Sequence, residues 1–106
     1  MILNVNGYKW NVINVSDPHD ERLQLDDGSE CFGITNYLDL AIYILNSVSK
    51  EIYRSTVLHE LCHVYAFSYG HDFTHMTEET LCYFVQSHFD TIGRDAEKII
   101  SKMGVK

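Results

Sequence analysis

Two histidines and a glutamate lie at a spacing that can bind a metal ion and use it for hydrolysis. They are His59, Glu60 and His63, in the order His-Glu-x-x-His. On an α-helix, residues i and i+4 share one face, so His59 and His63 can bind one Zn²⁺ together. Glu60 then lies beside the metal, where it can accept a proton from metal-bound water. The spacing predicts a hydrolytic zinc site with Glu60 as its general base.

The motif lies in a segment that predicts one long α-helix. The surrounding residues are largely apolar and include no glycine or proline. Ser49 is a suitable N-cap, so we expect the helix at about Lys50–Tyr69, ended by Gly70. Its apolar stripe is formed by Leu58, Leu61, Cys62 and Tyr65. Because His59 and His63 lie roughly 110° and roughly 150° from the centre of that stripe, they should face a cleft.

A catalytic zinc site usually has a third protein ligand, and four downstream residues are candidates. They are His71, His75, Glu78 and Glu79. Thr77 can cap a second helix that runs to about Ile92 and ends at Gly93. Its predicted apolar stripe consists of Leu81, Cys82, Val85, Phe89 and Ile92. Glu79 lies roughly 110° from this stripe and is favoured as the ligand, whereas Glu78 lies near the stripe and suits the helix dipole.

The N-terminal part of the chain predicts β-strands. Ile2–Val5 and Tyr8–Val15 flank Asn6-Gly7, a strong signal for a hairpin turn. A short strand is also expected at Cys31–Ile34. In Leu38–Leu45 the residues Leu38, Leu40, Ile42 and Ile44 alternate along the chain, which predicts a strand packed on the core.

These elements define the expected fold. Asp95–Met103 predicts a short terminal helix. The chain of 106 residues is short enough for a single domain, residues 1–106. The predicted class is α+β: a small, mainly antiparallel N-terminal sheet, then the motif helix and one or two further helices.

Charge and hydropathy exclude several classes of partner. The formal net charge is −7, whereas nucleic acids and anionic membranes require clustered Lys and Arg. No apolar segment has the length of a membrane span, and the first residues do not resemble a secretion signal. We therefore expect a protein or peptide substrate, with no nucleic-acid or membrane partner.

The three cysteines, Cys31, Cys62 and Cys82, indicate reduced thiols. An odd number of cysteines without a secretion signal is typical of cytoplasmic proteins. Cys62 lies within the motif but projects about 100° away from His63, so we predict core packing for it. The same is predicted for Cys82, and a thiolate ligand is the alternative.

The motif helix and the segment from Glu79 to Val85 resemble the small ImmA/IrrE-like metallopeptidases of phages and mobile elements. The resemblance implies a minimal zincin-like domain, with Zn²⁺ held by His59, His63 and Glu79. It also implies that the strand ahead of the helix binds an extended substrate. The Glu-Ala-Asn sequence of larger members is missing here, because Thr80 and Leu81 follow Glu79.

A second resemblance, to SprT-like proteases, rests on the same motif followed by Gly70-His71 and His75. It implies a histidine as the third ligand and substrates that are proteins near DNA. Under the first resemblance the function is that of a zinc-dependent, gluzincin-like endopeptidase, with His71, His75 or Tyr83 as candidates for the oxyanion donor. Under the second it is that of a zinc protease with a histidine as third ligand. The alternative from another class is a zincin-fold binding module without peptidase activity. A structural zinc site would instead require four protein ligands.

Overall fold

The Asn6-Gly7 turn forms as predicted and starts the sheet. Both residues have positive φ angles, 48° and 85°, as a tight hairpin turn requires. The computed structural model describes residues 1–105, in which the strands are Ile2–Val5 (β1), Tyr8–Val15 (β2), Gly33–Asn36 (β3) and Ala41–Leu45 (β4). The helices are Lys50–Ser68 (α1) and Glu78–Met103 (α2), with short 3₁₀ turns at Glu21–Leu23 and Phe73–His75. The α+β prediction is confirmed.

The strand order is β1-β2-β4-β3, which makes β3 an edge strand and β4 an interior strand. β1 and β2 are antiparallel, β2 and β4 are parallel, and β3 and β4 are antiparallel. The strand predicted at Leu38–Leu45 is wrong in its first part, because Leu38 is 97% exposed and Leu40 has a φ of 50°. The polypeptide turns there, and β4 begins only at Ala41.

Both faces of the sheet are covered, but unequally. The main core lies between the sheet and the helices and includes Trp10, Val12, Ile42, Ile44, Val57, Leu61 and Val64. On the opposite face, Leu23 of the first 3₁₀ turn packs against Val15 and Leu45. This cover explains why β4 is buried on both sides.

Helix α1 matches its prediction closely. The hydroxyl of Ser49 accepts a hydrogen bond from the backbone N–H of Ile52 at 3.2 Å, so Ser49 is the N-cap. The helix ends at Ser68, and Gly70 follows with a φ of 75°. Local sequence signals therefore determine both ends of the motif helix.

Helix α2 differs from its prediction in length and in its buried face. Gly93 lies inside a single helix, so the break and the separate Asp95–Met103 helix are wrong. The buried residues are Phe84, His88, Ile92, Ala96 and Ile99. Val85 and Phe89 of the predicted stripe are 50% and 71% exposed. Packing on α1 selects a face turned by roughly 50° from the predicted one, by helical-wheel geometry. Neither described helix combines the length and apolar character of a membrane crossing.

Candidate active site

The side chains of His59 and His63 lie next to each other on one face of α1. Their ring centroids are 5.1 Å apart and the rings meet at 67°. His59 is the more open of the two, with 70% of its side chain exposed, and His63 is half-buried. Two imidazoles at this separation can serve as adjacent ligands of one metal ion.

Glu60 is buried between α1 and the edge strand β3. Its residue exposure is 5%, and its Oε1 accepts a hydrogen bond of 2.9 Å from the hydroxyl of Thr35. Its Oε2 lies 4.0 Å from Nε2 of His59. One oxygen is thus fixed by β3 while the other lies on the histidine side. Thr35 was missed by sequence reasoning, because its role depends on which strand lies at the edge.

Gly33 lets β3 lie this close to α1. A Cβ atom at this position would be 2.5 Å from Cγ2 of Thr56 and 3.1 Å from Cγ of Glu60. Any larger residue would therefore push the edge strand and the helix apart. The position of Thr35 beside Glu60 depends on this glycine.

A cleft runs along α1 and β3 and consists of three adjoining cavities. The first, here the Cys31 cavity, measures about 360 Å³ and is lined by Cys31, Phe32, Gly33, Ser55, Thr56, His59 and Glu60. The central cavity, about 300 Å³, shares His59 and Glu60 with it and adds His63 and Tyr37. The third, here the aromatic cavity, measures about 320 Å³ and contains His63, Tyr37, Phe67 and Phe73.

Tyr37 follows β3 and lies over the cleft. It stacks on Phe67, with ring centroids 5.2 Å apart, and lines both the central and the aromatic cavity. Burial raises the pKa of its phenol, and the nearby carboxylate of Glu60 raises it further. Tyr37 therefore keeps its proton at neutral pH and can donate a hydrogen bond. No periodicity or motif in the sequence singles out this residue.

A comparison with known protein families identifies the family of this chain. Residues 9–83, more than half of the chain, match the model of the SprT-like family. The chain belongs to the SprT-like family. This is a zinc metallopeptidase-like family, and the matched range extends from β2 to the start of α2. It includes the histidine motif and all four candidates for the third ligand.

The other comparisons add no relatives. Searches of curated proteins and of solved structures found no match. The second of the two resemblances stated from the sequence is therefore the supported one. The comparisons do not show membership of the ImmA/IrrE-like peptidases.

The third-ligand candidates of this SprT-like chain lie at different places. His71 lines the aromatic cavity together with His63, and its backbone N–H donates to the carbonyl of Ala66 at 2.7 Å. His75 is exposed and pairs with Asp72 at 2.8 Å. Glu78 and Glu79 are exposed in the first turn of α2.

Within residues 1–105, no three histidine, cysteine, aspartate or glutamate side chains come together as a metal-binding group. The structure brings His59, Glu60 and His63 together at the cleft. Glu79 stays a prediction as the third ligand. The wheel argument for it does not hold as stated, because Val85 and Phe89, on which that stripe was based, are largely exposed.

The three cysteines of the chain are free. Cys62 is half-buried and packs against the main core, as predicted. Burial raises the pKa of its thiol, and the Glu60 carboxylate raises it further, so it stays protonated at neutral pH. Cys82 is exposed, which contradicts its predicted core position. The prediction placed it in an apolar stripe of α2 that is not the buried face of the helix. Cys31 lines the first cavity of the cleft.

Proposed function

We propose that this SprT-like chain is a zinc-dependent peptidase in which Glu60 is the general base. The observation that carries the proposal is the position of Glu60. It is buried between the histidine helix and an edge strand, and a single hydrogen bond from Thr35 orients it. A carboxylate is costly to bury, and a structural role would call for a cationic partner.

The donor set at the cleft suits zinc, because neutral imidazoles are common Zn²⁺ ligands. We propose His59 and His63 as two ligands. The third is either Glu79, the choice made from the sequence, or His71, which shares a cavity with His63. Bound Zn²⁺ would supply Lewis acidity, which lowers the pKa of water and polarises a carbonyl.

The residues of the chain supply proton transfer and charge stabilisation. Glu60 accepts the proton of the attacking water and donates it to the leaving amine. Tyr37 donates a hydrogen bond to the oxygen that becomes negative in the transition state. It is better placed for this role than Tyr83, which is 61% exposed on α2, or His75, which is paired with Asp72.

An extended peptide would bind along β3. Among the described strands, β3 pairs with β4 alone, so the N–H and C=O groups of its other edge are free to pair with a substrate strand. The role was expected for the strand at Leu38–Leu45. That expectation is wrong, because β4 is interior and its backbone pairs with β2 and β3.

Metal analysis and one conservative variant test the proposal. The purified protein should hold about one Zn²⁺ per chain. His59→Ala and His63→Ala should each lose most of it in elemental analysis. Stoichiometric zinc in the double variant would place the metal elsewhere.

Glu60→Gln should retain zinc and fold but lose peptidase activity, since the amide cannot act as a base. Cleavage of unfolded proteins, followed by mass spectrometry, is the readout. Activity that survives in Glu60→Gln contradicts the assigned base. Zinc binding with no cleavage by the wild-type protein would favour a zincin-fold binding module.

A further inference from the structure

We propose that the aromatic cavity binds a large apolar side chain of the substrate residue beside the scissile bond. The inference rests on the proposed function, since it assigns a specificity pocket to that site. It makes peptides with Phe, Tyr or Leu at one flanking position the preferred substrates. Two features of the cavity carry the argument: its walls and its position.

Aromatic rings make up much of the wall of the cavity, alongside His71, Asp72 and Thr74. Tyr37 stacks on Phe67, and Phe73 presents its ring at 63° to that of His63, with centroids 6.1 Å apart. Ala66 contributes its small methyl group and is only 5% exposed. A volume of about 320 Å³ accommodates one aromatic or branched aliphatic side chain. Aromatic walls favour such a side chain through edge-to-face and stacked contacts.

The cavity also lies at the correct place along the cleft. Tyr37 and His63 line both it and the central cavity, where Glu60 lies. Successive side chains of an extended peptide point to opposite faces, and adjacent Cα atoms are about 3.8 Å apart. A peptide that pairs with β3 and has its scissile bond at the central cavity thus places an adjacent side chain at the aromatic cavity.

A binding experiment tests the cavity without peptide hydrolysis. The chain has three alanines, of which Ala41 and Ala96 lie in the core at 3% and 0% exposure. With ¹³C-methyl-alanine labelling, the zinc-loaded Glu60→Gln variant would be titrated with N-acetyl-phenylalanine amide. We expect the Ala66 methyl resonance to shift saturably while those of Ala41 and Ala96 stay fixed. N-acetyl-glycine amide, which lacks a side chain, should bind at least tenfold more weakly. An unmoved Ala66 resonance, or equal binding of the glycine compound, overturns the proposal.

Cleavage profiling then tests specificity. Wild-type protein should cut unfolded proteins with Phe, Tyr or Leu enriched at one flanking position. Ala66→Leu fills the cavity and should shift that position to Gly, Ala or Ser by about tenfold or more, at unchanged zinc content. Ser55→Leu, in the Cys31 cavity, is the matched control and should leave that position unchanged. Cleavage without a preference overturns the proposal. A shifted Ala66 resonance in a protein that cuts nothing supports the cavity and contradicts the peptidase function.

Discussion

Of His59, Glu60 and His63, Glu60 is the residue that the fold buries most, so its hydrogen-bond partners determine what it can do. A buried carboxylate needs hydrogen-bond donors, and Thr35 supplies one at 2.9 Å. In the described part of the chain, no fully buried side-chain nitrogen or oxygen atom is left without a partner. The threonine hydroxyl thereby orients the carboxylate that we propose as the general base.

The first prediction at the residue scale concerns this hydrogen bond. Thr35→Val keeps the shape of the side chain but removes the donor. We expect kcat/KM to fall by about tenfold or more, because a charge-assisted hydrogen bond contributes about 1.5–3 kcal/mol. Zinc content should not change, and Thr35→Ser should restore most of the activity. Equal activity in Thr35→Val and wild type would show that Thr35 does not orient the base.

The second prediction at this scale separates the third-ligand candidates. If Glu79 binds zinc, Glu79→Ala should weaken zinc affinity far more than its neighbour control Glu78→Ala. The SprT-like resemblance implies a histidine ligand, His71 or His75. If that ligand is His71, His71→Ala should weaken zinc affinity in the same way, with His75→Ala as its control. Competitive zinc titration of the four variants gives the affinities. Unchanged affinity in all four would contradict both assignments.

At the scale of secondary-structure elements, the site depends on how closely β3 approaches α1. The contact is possible because Gly33 has no side chain where Thr56 and Glu60 pack against it. Edge strands are otherwise exposed and easily displaced. Gly33 therefore lies at the point where the edge strand β3 packs against α1.

Two glycine-to-alanine changes test this contact. Gly33→Ala should destabilise the protein by about 1–3 kcal/mol, because the new methyl group would overlap Thr56. Gly93→Ala is the control, since its Cβ would meet no atom within 4 Å. Alanine is the better helix former, so this change should stabilise the protein by about 0.5–1 kcal/mol. Urea unfolding gives both values, and equal stability in Gly33→Ala and wild type would contradict the close approach.

The elements also show what the sequence could predict. Helix α1 and the Asn6-Gly7 hairpin follow from local signals, namely a cap, a periodic stripe and a turn pair. The order of β3 and β4 depends on long-range pairing, which no local pattern encodes. The buried face of α2 was misjudged because its apolar residues cover much of the helix surface, and contact with α1 selects among them. Thr35 and Tyr37 were missed for the same reason.

At the scale of the whole molecule, polar contacts join sequence-distant elements around the core. The indole N–H of Trp10 donates to the hydroxyl of Ser68 at 3.0 Å, joining β2 to the end of α1. The side chain of Asn14 accepts from the hydroxyl of Tyr53 at 2.7 Å and donates to the carbonyl of Met103 at 2.8 Å. The sheet and both helices should therefore unfold together.

The last prediction tests this coupling with the single tryptophan of the chain. Fluorescence of Trp10 reports on the sheet, and far-UV circular dichroism reports mainly on the helices. In urea, the two signals should give the same midpoint. Ser68→Ala leaves the fully buried indole N–H without its partner. Both midpoints should therefore move together to lower urea concentration, as the free energy of unfolding falls by about 1–3 kcal/mol. Separate midpoints in either protein would mean that the sheet and the helices fold independently, contrary to a single domain.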